Sequence, residues 1–584
     1  MVIRRGERHI FAQKPRQAPS ITGPSAQKVT LIKLLSICLL LTACSLFGSS
    51  QLVKAPASKQ TYTIPQVSAG IDTFDPALAH DPTSINAIHI LFTGLLALDD
   101  KLQIRPQIAQ SWQQSSDGTT WTFHLKPGLK FSDGTPLSSK DVAYSIDRAL
   151  QPATQSTVAP VYLSLIKDAD QLLAGRISTL LDDSLQTPND TTLIVQTSKK
   201  AAYFLSMLTY TCSYVVEKRL VTTYGTAFTQ HLAEGGETGP FKLAQYIPGQ
   251  IATFVPNAYY QPKPQLQRVA FTFYHSTNDT YQAYLQGTVD TTAVPIANFA
   301  DAKKRTDFFQ VPQLWTNYYT MNYLVKPFDN IHVRQAFALA IDKVAIANKV
   351  WNNTVLPTNH IVPQGMTGYN AKLTGPDGTQ NLTANPTLAR ALLKQGLKEE
   401  GYSDVSQLPP ITLTYATNFD QEVKMLLQMW QNVLNITVTP NGVDSNTLLD
   451  KVTAATNNAN GLQFWGLAWV GEYPDPQDWL TLQFDRGTLD NNMNYGQNTA
   501  PTAAKQQITQ QQLEAADAYT QSDKRIQMYQ QAEQQLVTDV AWLPMEQVTA
   551  TFLRTPYIVG IVDNGQNVIP PDDWANIYRV APAM

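Results

Sequence analysis

One stretch of the sequence is typical of a linker, and it ends near residue 60. Residues 45–60 carry Ser, Ala and Lys with little periodicity, and no later stretch has this character. A chain of 584 residues is too long for one hydrophobic core and corresponds to roughly three or four domain-sized units. Because no second linker separates those units, we expect lobes built from interleaved segments of the chain.

Strand and helix signals alternate after that linker. Trp121–Leu125 alternates apolar and polar side chains between two Asp-Gly turns, as a half-buried strand does. Ser138, followed three residues later by Asp141, predicts a capped helix start. Further strands are predicted at 192–197, 289–294, 411–415 and 436–439, and further helices at 277–286, 333–344 after an Asn330 cap, 388–398, 422–434 and about 505–539. This alternation predicts an α/β or mixed α+β fold.

The amino-terminal end has the pattern of an export signal. Leu34–Ala43 is apolar but only ten residues long, whereas a membrane-spanning helix needs about 20 apolar residues. A basic flank and small residues before a cysteine indicate a secretory signal over residues 1–43. Leu41–Cys44 resembles the bacterial lipobox. That resemblance implies that Cys44 is acylated and inserted in a lipid bilayer, with residues 44–60 as a flexible tether.

Charge and cysteine content narrow the class further. Residues 1–43 hold seven of the 43 basic residues and one of the 46 acidic residues, so the rest of the chain carries a net charge of -9. A chain of that sign has no electrostatic basis for binding nucleic acid. If Cys38 leaves with the signal and Cys44 is acylated, Cys212 has no cysteine left to pair with.

No motif for catalysis or metal binding stands out. The seven histidines after residue 43 are never spaced at i, i+3 or i, i+4, and HExxH, CxxC, G-x-S-x-G and phosphate-binding glycine motifs are absent from the sequence. We therefore expect no cofactor, no metal and no enzyme activity. A hydrolase that uses two of the many carboxylates remains an alternative.

A series of motifs resembles the bacterial ABC-transporter solute-binding proteins of family 5, whose members bind peptides, dipeptides, oligopeptides or nickel. The motifs are Phe74-Asp75-Pro76, Phe92–Leu95, the block from Pro106 to Val142, Thr238–Phe241, Asn257–Tyr260, Gly287–Asp290, Pro327–Lys343, Tyr473-Pro474-Asp475-Pro476, and Arg525 with Tyr529 and Ala532-Glu533. They fall in the family's order over about residues 60–580.

The resemblance implies a two-lobed periplasmic-binding-protein clamshell of type II with an inserted third domain. Lobe I would comprise residues 61–98, 218–326 and 536–584, the inserted domain residues 99–217, and lobe II residues 327–535. A peptide would lie between the lobes, and the closed, monomeric protein would deliver it to the permease of an ABC importer. The family also includes receptors for metal chelates, opines and oligosaccharides, so these ligands stay open.

The resemblance also implies ligand contacts near the Tyr-x-Asp-Pro motif. In oligopeptide-binding relatives an aspartate three residues after a Trp holds the α-ammonium group of the peptide, and Glu472 occupies that position after Trp469. A desolvated ammonium needs a charged, hydrogen-bonding partner, which a carboxylate supplies. Trp469 and Tyr473 would form flat apolar walls. Tyr318 and Asn322 are further candidates beside a crossover between lobes.

Overall fold

The structure is a computed structural model that describes residues 52–582. Residues 54–580 form one compact unit, to which the following account refers. The strands are β1 (Leu52–Lys54), β2 (Thr61–Val67), β3 (Leu96–Leu98), β4 (Ile104–Pro106), β5 (Ala109–Gln114), β6 (Thr120–Leu125), β7 (Leu185–Asn189), β8 (Thr192–Gln196), β9 (Phe241–Ile247), β10 (Ile251–Pro256), β11 (Arg268–Tyr274), β12 (Thr291–Ala293), β13 (Phe308–Met321), β14 (Val355–Pro357), β15 (Ile411–Ala416), β16 (Val438–Val443), β17 (Phe464–Val470), β18 (Leu543–Arg554), β19 (Ile558–Val559) and β20 (Tyr578–Pro582).

Helices lie between most of these strands, as the alternating pattern predicts. They are α1 (Pro82–Leu91), α2 (Ser139–Leu150), α3 (Ala159–Tyr162), α4 (Ala169–Leu173), α5 (Phe204–Met207), α6 (Lys218–Tyr224), α7 (Thr277–Leu285), α8 (Phe299–Ala302), α9 (Ile331–Leu339), α10 (Lys343–Lys349), α11 (Pro386–Glu399), α12 (Asp420–Leu434), α13 (Ser445–Thr453), α14 (Pro476–Trp479), α15 (Thr481–Phe484), α16 (Ala503–Ala518) and α17 (Ser522–Thr538).

The largest sheet has the strand order β12-β18-β13-β17-β15-β16. β13 is antiparallel to β17 and β18, whereas β15 runs parallel to β16 and β17. Successive residues of β13 point to opposite faces, so Tyr318 enters one hydrophobic core and Tyr319 another. This sheet is therefore covered on both faces, which explains the almost continuous burial from residue 316 to 321.

A second sheet, β2-β11-β10-β9, lies over a separate core. β2 and β11 are parallel although about 200 residues separate them, and Thr61 is opposite Arg268. Tyr62, Phe254 and Trp574 share the core of this sheet. Segments from near the start, the middle and the end of the chain thus contribute to one core, and their assignment to a single lobe stays a prediction.

The third sheet, β5-β6-β8-β7, is antiparallel and packs with α2 around its own core. The capping box at the start of α2 is confirmed, since the Ser138 backbone N–H donates to the Asp141 carboxylate over 2.8 Å. Residues 109–196 supply the strands of this sheet, and they fall within the range predicted for the inserted domain, whose bounds stay a prediction.

Two of the predicted helices are each divided into two. The helix that Asn330 caps ends at Leu339, and α10 begins after Asp342, whose carboxylate accepts from the Ala345 backbone N–H over 2.8 Å. Asp342 is thus a second N-cap, at which a new helix begins. The stretch at 505–539 is likewise two helices, α16 and α17, that pack against each other.

The predicted lobe boundaries stay a prediction. The largest sheet takes β13 and β18 from residues assigned to lobe I, and β15, β16 and β17 from residues assigned to lobe II. The predicted tether differs from the structure at its end, because Ala55 and Gln60 are buried and the Gln60 amide donates to the carbonyls of Ala55 and Arg579.

The predicted signal, and Cys44 with it, lie outside the described residues. Within residues 52–582, Cys212 is buried and forms no disulfide. No helix in this part of the chain has the length and apolarity needed to cross a membrane.

Candidate ligand-binding cleft

A cavity of about 370 Å³ lies where the sheets meet. Its walls come from α1, the β3–β4 turn, the inserted domain, the β13 segment around Trp315, the end of β17, and the segment that follows β19. Trp315 and Val470, which are opposite each other on β13 and β17, are exposed here to 40% and 53%. Large apolar side chains that remain exposed in a concave site are typical of a binding surface.

Glu472 reaches the cavity from the turn that follows β17. The turn is tight, since a Cβ atom on Gly471 would lie 3.0 Å from the ring of Trp479. Three residues beyond Glu472, Asp475 caps α14 by accepting from the Gln477 backbone N–H over 3.0 Å. The Tyr-Pro-Asp-Pro motif therefore fixes the turn that presents Glu472.

Two interactions hold Glu472 itself. Its carboxylate accepts a hydrogen bond from the hydroxyl of Tyr162, which belongs to the predicted inserted domain. Its backbone N–H donates over 3.0 Å to Asp478, and the Trp469 indole N–H donates to the same oxygen over 3.3 Å. Burial, together with the charge of Glu472, raises the pKa of Asp478 well above its usual range.

The ring of Tyr162 is fixed in turn by other aromatic rings. It stacks on Tyr210 with 3.7 Å between ring centroids and an interplanar angle of 6°. Tyr473 meets it edge to face at 6.4 Å and stacks on Tyr203 at 6.3 Å. Aromatic packing thus orients the hydroxyl that contacts Glu472.

Two carboxylates line the cavity, and one of them is paired with a cation. Asp99 accepts from the Arg105 guanidinium over 2.8 Å, whereas Glu472 forms no ion pair within the described residues, and no lining residue is a lysine or arginine. The lining His89 contacts the Tyr214 hydroxyl through Nδ1 over 2.9 Å, and burial lowers its pKa to about 4. At neutral pH its imidazole is uncharged, so this surface favours a cationic group on a ligand.

The other predicted contact residues have partners within the protein. Trp469 is half-buried against the core beside the cavity, and the Tyr473 hydroxyl donates to Gln477 over 2.5 Å. Tyr318 is buried and stacks on Trp542 at 3.6 Å. Asn322 is fully buried and donates to two backbone carbonyls. Of the five predicted contacts, the structure places Glu472 on the cavity wall.

Several cavity residues have no counterpart among the sequence predictions. Tyr162, Tyr210 and His89 are examples, as is the segment from Asn564 to Pro571. Tyr162 and Glu472 are 310 residues apart, and no periodicity or motif relates them. The contact between Tyr162 and Glu472 depends on how the predicted inserted domain packs against the turn after β17, which the sequence does not show.

Fold and cleft together define a binding protein of the extracytoplasmic two-lobed class. The profile of the bacterial extracellular solute-binding proteins, family 5 Middle, matches residues 103–491. The chain belongs to this family, which confirms the predicted resemblance and the α/β clamshell with an additional domain.

Curated relatives and solved structures support the assignment over nearly the whole chain. The oligopeptide-binding protein OppA of Bacillus subtilis is 24% identical over 539 residues, 90% of this chain and 95% of that protein. The unliganded open form of the murein tripeptide-binding protein MppA has a TM-score of 0.78 at 25% identity and covers 91% of this chain and 99% of the other. The Haemophilus influenzae OppA complex with the peptide RPPGFSPFR has the same fold, with a TM-score of 0.62 at 22% identity over 91% of this chain and 100% of that one.

Proposed function

We propose that this protein binds peptides with a free amino terminus and that the Glu472 carboxylate holds their α-ammonium group. The observation that carries the proposal is the position of Glu472 on the cavity wall, fixed by Tyr162 and by the backbone contact to Asp478. A charge-assisted hydrogen bond in a partly desolvated site is strong and directional. Relatives named for oligopeptide, dipeptide and murein peptide binding support the ligand class.

The charge of the cleft separates this proposal from the alternatives. Opines and many metal chelates are rich in carboxylates, and such ligands would meet the Glu472 carboxylate with no lining lysine or arginine to bind them. Within residues 52–582, no group of three or more His, Cys, Asp or Glu residues could hold a metal ion.

Ligand capture would follow from closure of the lobes. A ligand that contacts both walls of the cleft is bound best in the closed form, so it shifts the population toward closure. The TM-score of 0.78 with an unliganded open form supports an open starting state. We further propose that acylated Cys44 anchors the monomeric protein outside the cytoplasm and that a permease receives the closed form.

Titration calorimetry with tri-alanine tests the role of Glu472. The protein should bind Ala-Ala-Ala, and acetylation of the peptide amine should weaken binding at least tenfold because the charged donor is lost. Glu472→Gln should weaken binding of the free peptide by a similar factor. Glu514→Gln is the matched control, since it removes a carboxylate from a surface pair with Arg486 that does not line the cavity.

Equal affinity of the Glu472→Gln variant would remove this carboxylate from the ligand site. Mass spectrometry of the recovered peptide separates binding from hydrolysis. We expect intact tri-alanine after prolonged incubation, and catalytic formation of alanine and dialanine would refute a pure binding function.

A further inference from the structure

A second cavity, of about 330 Å³, adjoins the cleft. Asn86, His89, Asn564 and Val568 line both spaces, so the two cavities share a wall or opening at these four residues. The second cavity lies between β2 and α1 on one side and β12, β18 and the segment 561–569 on the other. We call this space the apolar chamber.

Hydrocarbon and aromatic groups form most of the chamber surface. Ile90, Phe271 and Trp574 are buried in its wall, and Ile561 and Val568 lie on the opposite segment. Such a lining offers water few hydrogen-bond partners, so an apolar group that displaces water here gains free energy.

The charged groups of the chamber are already paired with each other. Arg554 binds Asp563 through two hydrogen bonds of 2.8 and 2.9 Å, and its guanidinium lies 4.4 Å from the centroid of the Phe309 ring. This bidentate, stacked arrangement satisfies the guanidinium. Arg554 is therefore not available to a ligand carboxylate unless the pair with Asp563 breaks.

The four shared residues are also neutral. Asn564 donates to the Val568 carbonyl over 2.7 Å and accepts from the Gln566 backbone N–H over 3.1 Å, so its amide is used within its own segment. His89 is held by Tyr214 as described above. A group that passes from the cleft into the chamber meets no unpaired charge.

We propose that the apolar chamber binds one hydrophobic side chain of the peptide whose amino terminus Glu472 holds. The inference rests on the proposed function, because it requires a peptide in the adjoining cleft. A volume of about 330 Å³ lies at the lower end of the range of about 300–1,000 Å³ for small-molecule sites, which suits a single aromatic or branched side chain. The protein would then select peptides by the position of one apolar residue.

A positional series of peptides tests the proposal by calorimetry. Phe-Ala-Ala, Ala-Phe-Ala, Ala-Ala-Phe and the tetrapeptide Ala-Ala-Ala-Phe are compared with all-alanine peptides of the same length. One position should bind at least tenfold tighter than alanine, since complete burial of a large apolar side chain has an effect of this size. Glutamate at that position should bind more weakly than alanine.

Variants that fill the chamber connect the gain in affinity to this space. Ala293→Phe, at an exposed position of β12, and Ala550→Phe, on β18, each add a ring to the chamber lining. Either should abolish the advantage of phenylalanine and leave the affinity for all-alanine peptide within about threefold. Ala300→Phe, at an exposed alanine outside the chamber, is the matched control and should retain the advantage.

The outcomes distinguish this proposal from the role of Glu472. An equal phenylalanine advantage in a folded Ala293→Phe variant overturns the chamber assignment, as does a series with no preferred position. If all-alanine peptides still bind and acetylation still weakens them, the proposed function stands although the chamber assignment fails. Failure of every peptide to bind would refute both.

Discussion

Two Asp-Pro turns, far apart in the sequence, are built in the same way and differ in what surrounds them. Asp75 and Asp475 each accept from the backbone N–H two residues later over 3.0 Å. Each also receives two hydrogen bonds from a largely buried arginine, Arg148 for Asp75 and Arg525 for Asp475. Both motifs thus use one carboxylate to close a turn and to bind a cation.

The surroundings of the second pair contain an additional carboxylate. Arg148 lies over the ring of Phe228, and Asp75 is its one carboxylate partner among the described residues. Arg525 also donates to the Tyr529 hydroxyl, which in turn donates to Asp517 over 2.5 Å. Burial raises the pKa of Asp517 to about 7. The comparison shows that one sequence motif can form a simple ion pair or part of a larger network that contains a carboxyl group of raised pKa.

The largest expected effect comes from removing each arginine. Arg525→Met should destabilise the fold by about 4–5 kcal/mol, because it leaves Asp475 buried without its cation and Asp517 without a nearby one. Arg148→Met should cost less, about 3 kcal/mol, since a single carboxylate loses its partner. Urea unfolding of the two variants measures the difference.

Peptide affinity should also distinguish the Asp475–Arg525 pair from the Asp75–Arg148 pair. Asp475 fixes the turn that presents Glu472, so Arg525→Met should also weaken binding of tri-alanine at least tenfold in the folded fraction. Arg148→Met should keep the affinity within about threefold. Equal losses of affinity in both variants would show that general destabilisation, and not the turn, governs the site.

A smaller effect is expected from the pH dependence of Asp517. Its pKa rises from about 3.9 in the unfolded chain to about 7 when folded, so the folded state binds the proton more tightly. The resulting stabilisation is complete below about pH 4 and is lost as the pH rises through about 7. Stability should therefore fall between pH 5 and pH 8 by an amount on the order of 2 kcal/mol from this group.

Asp517→Asn tests this expectation without removing the hydrogen bonds. Tyr529 and Thr481 both donate to the same Asp517 oxygen, which an asparagine carbonyl can replace. The variant should show a shallower decline in denaturant stability from pH 5 to pH 8. Asp182→Asn, at an exposed carboxyl, should retain the original slope. An unchanged slope in the Asp517→Asn variant would mean that another carboxyl group, for example Glu533, causes the decline in stability.

Local patterns predicted the elements because the relevant forces act over a few residues. The capping box at Ser138, the N-cap at Asn330 and the alternating strand at Trp121–Leu125 all appear in the structure. Tyr318 and Asn322 show the limit of such patterns. Both are predicted as ligand contacts beside a crossover between lobes, but both faces of β13 are covered and these side chains are buried.

The site could be predicted only on one wall. Glu472 follows from the resemblance of its segment to the family, whereas Tyr162 comes from the predicted inserted domain and His89 from α1. The apolar chamber likewise forms between β2 and β18, which lie near opposite ends of the chain. Contacts of this kind depend on tertiary assembly and leave no spacing in the sequence.

The smallest expected effect comes from removing the hydrogen bond between Tyr162 and Glu472. Tyr162→Phe removes the hydroxyl that donates to Glu472 and keeps the ring stacked on Tyr210. The carboxylate is only half-buried, so water can replace the lost donor and stability should change by less than about 1 kcal/mol.

Affinity for tri-alanine should nevertheless fall about three- to tenfold in Tyr162→Phe, because a freely rotating carboxylate must be ordered again when the ammonium binds. Combining this change with Glu472→Gln tests whether the two residues act together. If Tyr162 works only by orienting Glu472, its removal has no further effect in the Glu472→Gln background. An additional loss of the same size there would mean that Tyr162 contacts the peptide independently, so that the inserted domain supplies a ligand contact of its own.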